Sequence, residues 1–192
     1  IVFSSEEKAK QAYEEWRVLE ENVWFYPARD LLFYHADIKG AFLTGKRMEV
    51  LRAIVEKKGR EAITVVTTMD AFLDGLPSKE ELCGNRIKIH AEEALDFQKL
   101  QENLSILGYE RENQVESPGQ FAVRGGILDV FPLTEENPVR IELWGDEVDS
   151  IRSFDVESQR STENLQEIEI YPATENWKQM ETESFLAYFP VK

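Results

Sequence analysis

Cysteine is almost absent from this chain. Cys83 stands alone, so no internal disulfide can form and no thiolate zinc site can be assembled. Histidine is nearly as scarce. His35 and His90 fall outside any metal-ligand spacing, and each reads as a structural or surface residue. Basic residues are few: 22 Lys and Arg stand against 37 Asp and Glu, a formal net charge of −15. Affinity for a phosphate backbone or an anionic membrane comes from clustered Lys and Arg, so the chain as a whole suits neither. No Lys/Arg run announces a local exception. No apolar run reaches the length of a membrane span and no secretory signal is visible. A reducing, cytoplasmic setting is expected.

The signatures of catalysis are missing as well. There is no G-x-x-x-x-G-K-[ST], G-x-S-x-G, H-E-x-x-H or G-x-G-x-x-G. Thr44-Gly45-Lys46-Arg47 contains a Gly-Lys pair. No strand or glycine-rich loop leads into it, and a phosphate cradle needs N–H groups converging at a helix start. Acidic pairs such as Glu92-Glu93, Glu135-Glu136 and Asp146-Glu147 are abundant, and in so acidic a chain they read as solvated faces and turns. No catalytic residue, metal site or cofactor site is assigned to this stretch of chain.

What is present supports a folded core. The 192 residues are 42% hydrophobic and 11% aromatic, enough for one large domain or two small ones. Ile1-Val2-Phe3 reads as the end of a buried strand, as though the chain began inside an element. Ser4 and Glu7 have capping-box spacing, and Ala9, Ala12, Tyr13, Trp16 and Leu19 follow at helical spacing. Val23 to Tyr26 predicts a strand stopped by Pro27. Thr44 can cap a second helix with Met48, Leu51, Ile54 and Val55 inward. Ala62 to Thr67 is a β-branched run of the kind buried on both faces of a parallel sheet. Asp70 to Leu73 suggests a short helix. This alternation argues α/β.

Near Pro77 to Asn85 the pattern changes, with breaks at Gly75, Pro77, Ser78 and Gly84. Arg86 to His90 predicts a strand. Asp96 can cap a helix carrying Phe97, Leu100, Leu104 and Leu107 on one side and ended by Gly108. A β-meander follows from Gly119 to Arg160, and Glu167 to Tyr171 is a last strand before Pro172. The reading is an incomplete α/β domain over residues 1–84, an antiparallel α+β domain over 85–173, and a segment 174–192 that starts a return to the first domain.

The meander is the most informative stretch. The paired glycines Gly125-Gly126 suggest a bulge or a close backbone approach. In Val139 to Trp144, Val139, Ile141 and Leu143 face one way and Arg140, Glu142 and Trp144 the other. Trp144 thus shares a face with charged residues. Either a helix covers that face and Trp144 is core, or the face meets a partner, since Trp and Arg most often anchor interfaces. Arg140 and Trp144 would lie roughly 13 Å apart, at about 3.3 Å per residue.

The runs FAVRGGILDVFP, VRIELWGDEVDSIRSFDVESQRS and IEIYPATE resemble the UvrA-interaction domain shared by bacterial transcription-repair coupling factors and the excision-nuclease subunit UvrB. FDVESQRS is closer to the coupling factors. Upstream, VWFYPARDLLFY and AITVVTTMDAFL resemble the RecA-like first domain into which that interaction domain is inserted. The stretch between Leu32 and the Thr44 helix is too short for UvrB's DNA-gripping hairpin. The resemblance implies an incomplete RecA-like parallel-sheet domain with an inserted antiparallel interaction domain, which recruits UvrA to stalled RNA polymerase. Carried over by motif, the UvrA-contacting positions are Arg124, Arg140 and Trp144, the last a phenylalanine in many relatives. Arg152 and Arg160 match family arginines without an assigned contact, and Asp155 with Arg160 could instead be a structural turn pair. The family also implies an ATP-driven DNA translocase motor, with ATP and Mg, and contacts to RNA polymerase and duplex DNA, all in other parts of the full-length protein. This stretch is expected to be a non-catalytic, monomeric interaction module. The alternatives are a fragment of UvrB and a small nucleotide hydrolase, which would need a phosphate loop.

Overall fold

The computed structural model describes residues 1–29, 37–57, 62–174 and 182–189. Two compact units emerge: Ile1–Gly84 with Glu175–Lys192, and Asn85–Thr174.

In the first unit, β1 (Val2–Phe3), α1 (Glu6–Trp16), β2 (Val23–Tyr26), α2 (Asp37–Glu56), β3 (Thr64–Thr68), α3 (Met69–Leu73), β4 (Leu76–Pro77) and α4 (Lys79–Gly84) follow in order. A three-stranded sheet runs β1-β3-β2, with both pairings parallel. The β-branched run is its central strand, which is why Val65, Val66, Thr67 and Thr68 are all buried. Ala9, Val23 and Val66 form a core patch under Phe3, Ala12, Tyr13, Trp16 and Phe25. Arg47, 1% exposed, donates to the Pro27 carbonyl (2.7 Å) and to Asp74 (3.0 Å) and lies 4.3 Å from the Tyr26 ring centroid. The strand Thr182–Glu183 pairs antiparallel with β4, and the 3-10 helix Phe185–Tyr188 buries Phe185 and Tyr188.

Several local expectations need correction here. The cap of α1 is Ser5, whose hydroxyl accepts from the Lys8 N–H; Ser4 is not the cap. Leu19 lies beyond the end of α1 and is 79% exposed, so it is not part of the packed stripe. Ile1 and Val2 are exposed. Helix α2 already runs from Asp37, so Thr44 is interior and caps nothing. Gly40 and Gly45 each weaken a helix by about 1 kcal/mol and so imitate a boundary. The buried side formed by Gly45, Met48, Leu51 and Ile54 carries the helix through them. Part of the Leu32-to-Thr44 stretch, and Trp177, lie outside the described residues.

The second unit comprises β5 (Ile87–His90), α5 (Phe97–Ile106), β6 (Glu110–Glu112), β7 (Gln120–Arg124), β8 (Ile127–Val130), β9 (Val139–Trp144), β10 (Glu147–Phe154), β11 (Ser161–Leu165) and β12 (Glu167–Ile170). A six-stranded sheet runs β11-β10-β9-β8-β7-β6, antiparallel except for β6 against β7. Asp96 caps α5 by accepting from Lys99 N–H at 2.9 Å. Gly108 closes it at φ 89, a conformation glycine adopts without steric cost. Strands β5 and β12 form a separate ribbon in which Ile89 faces Ile168 and Lys88 faces Glu169. β6 and β11 were not anticipated.

Candidate partner-binding face

The site is built on the outer face of β7, β8 and β9. Two hairpins set its geometry. Gly125-Gly126 joins β7 to β8 and Gly145-Asp146 joins β9 to β10, each with a positive φ at the first glycine (60 and 65). The Gly125-Gly126 pair is therefore a two-residue turn and not a bulge. Gly126 is also a point of close approach, since a Cβ there would lie 3.2 Å from the Leu143 carbonyl oxygen.

Register brings Ala122, Asp129, Arg140 and Arg152 into one row across β7, β8, β9 and β10. Asp129, with its side chain 2% exposed, is the centre of the row. Arg140 donates to it twice, Nε to Oδ1 at 2.7 Å and Nη2 to Oδ2 at 2.9 Å. Arg124 Nη2 donates to the same Oδ2 at 2.7 Å. The guanidinium of Arg140 lies 4.6 Å from the centroid of Phe154, which is fully buried. Its Nη2 also meets Gln159 Oε1 at 3.5 Å. The Asp129 carboxylate raises the pKa of Arg140 above its already high value. Two guanidinia and one carboxylate leave a single net positive charge.

At the β10 end of this row, Arg152 donates to Glu142 (2.5 Å), which also accepts from the Ser150 hydroxyl at 3.4 Å. Arg160 is exposed. Its carbonyl accepts from the Asp155 N–H, while the Asp155 carboxylate accepts from Ser158 N–H and Oγ and is held below its usual pKa by them. Asp155 and Arg160 thus close a turn through the backbone. Trp144, on the same face as Arg140 by alternation, ends β9 and is 85% exposed. The reading of Trp144 as core is overturned.

The face has no acid–base pair aimed at a common point. Among the described residues, no group of three or more His, Cys, Asp or Glu is placed to hold a metal ion. No helix among them is long and apolar enough to cross a membrane. What this face offers is one exposed tryptophan and two arginines anchored on a buried carboxylate.

Residues 87–176, nearly the whole second unit, match the family model described as the UvrB interaction domain. The second unit belongs to that family. Over 156 residues, 81% of the chain, the sequence is 38% identical to the transcription-repair-coupling factor of Bacillus subtilis (strain 168). Over 155 residues it is 34% identical to the transcription-repair-coupling factor of Staphylococcus aureus (strain bovine RF122 / ET3-1). The chain spans 13% of the length of each of these relatives.

Within the interaction domain, the three sequence-predicted residues are not equivalent. Arg124 and Arg140 meet on one carboxylate, while Trp144 stands at the far end of β9. Arg124 is 51% exposed at its side chain and Arg140 only 17%. Neither arginine is a free positive point, since each spends N–H groups on Asp129. Sequence reasoning missed Asp129 and Gln159. The available signal was a charged residue inside the apolar run Ile127–Phe131, facing the arginine of the neighbouring strand.

Proposed function

We propose that this chain is a UvrA-recruiting portion of a transcription-repair-coupling factor, acting through the outer face of β7 to β9. The observation that carries the reading is Trp144: a large aromatic left 85% exposed on the sheet face that also carries Arg140, within a UvrB interaction domain. Tryptophan and arginine are the residues most enriched at interface hot spots, which is what marks this ring out from the other exposed apolar side chains. The partner would present Asp or Glu to the guanidinium edges that Asp129 leaves unused. Those are Nε and Nη1 of Arg124 and Nη1 of Arg140, which make no hydrogen bond among the described residues.

In the same reading, the first unit with its parallel β1-β3-β2 sheet is an incomplete RecA-like domain. It neither holds nor hydrolyses ATP, for want of a phosphate loop. The ATP- and Mg-dependent motor and the contacts to RNA polymerase and duplex DNA belong to other parts of the full-length cytoplasmic protein. The fragment itself is a monomer.

Calorimetric titration with purified UvrA tests this. Arg124→Glu and Trp144→Ala should each weaken binding by on the order of 1–3 kcal/mol, roughly five- to hundred-fold. Charge reversal should cost more than Arg124→Ala, because it sets like charges against each other. If both variants fold and bind as the parent does, the face is wrongly assigned.

A further inference from the structure

We propose that Asp129, supported by Gln159, is a positioning residue that holds Arg124 and Arg140 in one partner-ready geometry. The proposal rests on the reading of this face as the UvrA site. An arginine on an open strand samples many rotamers, and a partner must freeze it before it can bind. Here that ordering is already built in. One carboxylate, 2% exposed, accepts three N–H bonds of 2.7, 2.7 and 2.9 Å from two arginines on different strands. Oδ2 is shared by both guanidinia, so it also cancels the repulsion that would otherwise splay them. Arg140 is also held over the buried Phe154 ring, 4.6 Å from its centroid.

A purely structural role explains this arrangement poorly. The Arg140 fork alone gives each Asp129 oxygen a charged donor, and Arg124 adds a third N–H to Oδ2 from a different strand. The second arginine is half exposed and gives Asp129 a single N–H, from Nη2. The loop after β10 points the same way. Gln159 sits at φ 57, a conformation that costs a residue with a Cβ. Its N–H donates to the Asp155 carbonyl (2.8 Å) and its Nε2 to the Val156 carbonyl (2.8 Å). With the amide anchored on its nitrogen, Oε1 is left to face Arg140 Nη2.

The test is a double-mutant cycle read by UvrA affinity. Asp129→Asn keeps the shape but sets an NH2 against guanidinium donors. It should weaken UvrA binding by about tenfold, and Arg124→Ala, costing at least about fivefold in the parent, should then cost less than about twofold. A structural role would lower the melting temperature yet leave the cost of Arg124→Ala unchanged. Should Asp129→Asn not fold, Gln159→Gly decides. It suits the backbone, should keep the melting temperature, and should still weaken binding about threefold. Independent, additive losses overturn the proposal, as does parent-like affinity in Gln159→Gly where it decides. If Arg124→Ala and Trp144→Ala both leave the parent's affinity intact, the site reading fails and the proposal with it. If those two lose affinity while Asp129→Asn loses none, only the positioning role fails.

Discussion

Replacing Arg140 by alanine should destabilise the interaction domain far more than replacing Arg124, although both bind the same carboxylate. Arg140 supplies two of the three bonds to Asp129 and caps the Phe154 ring. Without it, a carboxylate with 2% exposure keeps one bond, from an arginine that is half in water. Removing one partner of a buried pair costs about 3–5 kcal/mol when nothing replaces it. Arg124 remains, so roughly 2–4 kcal/mol is expected. Arg124→Ala removes one bond from an exposed side chain and leaves the Arg140 fork intact, so about 0.5–1 kcal/mol follows. For a unit of about 90 residues, the Arg140 loss lowers Tm by on the order of 10–20 °C. Differential scanning calorimetry together with urea midpoints would read the contrast. Removing the carboxylate as well, in Asp129→Ala/Arg140→Ala, should recover part of the loss, because the orphaned charge is gone. Equal costs for the two arginine variants, or a double variant as unstable as the sum of the singles, would refute the hierarchy.

Gly108→Ala should cost more than about 1 kcal/mol, seen as a lower urea midpoint, since φ is 89 and the new Cβ would lie 2.8 Å from Thr174 Cγ2. Trp144→Ala should leave the melting temperature within the range of an ordinary surface change, about ±0.5 kcal/mol, because the ring is 85% exposed. In the β5–β12 ribbon, hydrogen bonding to Lys88 lowers the pKa of Glu167, and Glu167 with Glu169 raises that of Lys88. The Glu167 contribution is present above its unfolded pKa near 4.3 and is lost as pH falls through the lower folded value. The Lys88 contribution is present below its unfolded pKa near 10.4 and is lost as pH rises through the higher folded value. The contribution of this pair should be level between those limits, and Lys88→Ala should flatten both edges slightly.

The elements legible from sequence are those whose signal is local or comes from burial on one face. Asp96 and Gly108 bracket α5 because a cap and a left-handed stop are chemistry of single residues. β9 shows itself because Val139 and Ile141 are buried while Arg140 and Glu142 are only partly covered. β6 and β11 were invisible for the opposite reason. As edge strands they are almost wholly exposed, so neither face selects for apolar residues, and their backbone pairing leaves no periodic trace. The capping box at Ser78 and Glu81, whose side chains exchange bonds with each other's N–H, passed as mere breakage because proline and glycine surround it. The site divides in the same way. Trp144 and Arg140 announce themselves by breaking or keeping a period of two. Asp129 gains meaning only once β8 is set against β9 in register, with Asp129 opposite Arg140. A shift of one residue would turn that carboxylate to the apolar face. The pairing register is a tertiary fact, so the residue that ties the two arginines together is one that no spacing within a single strand can reveal.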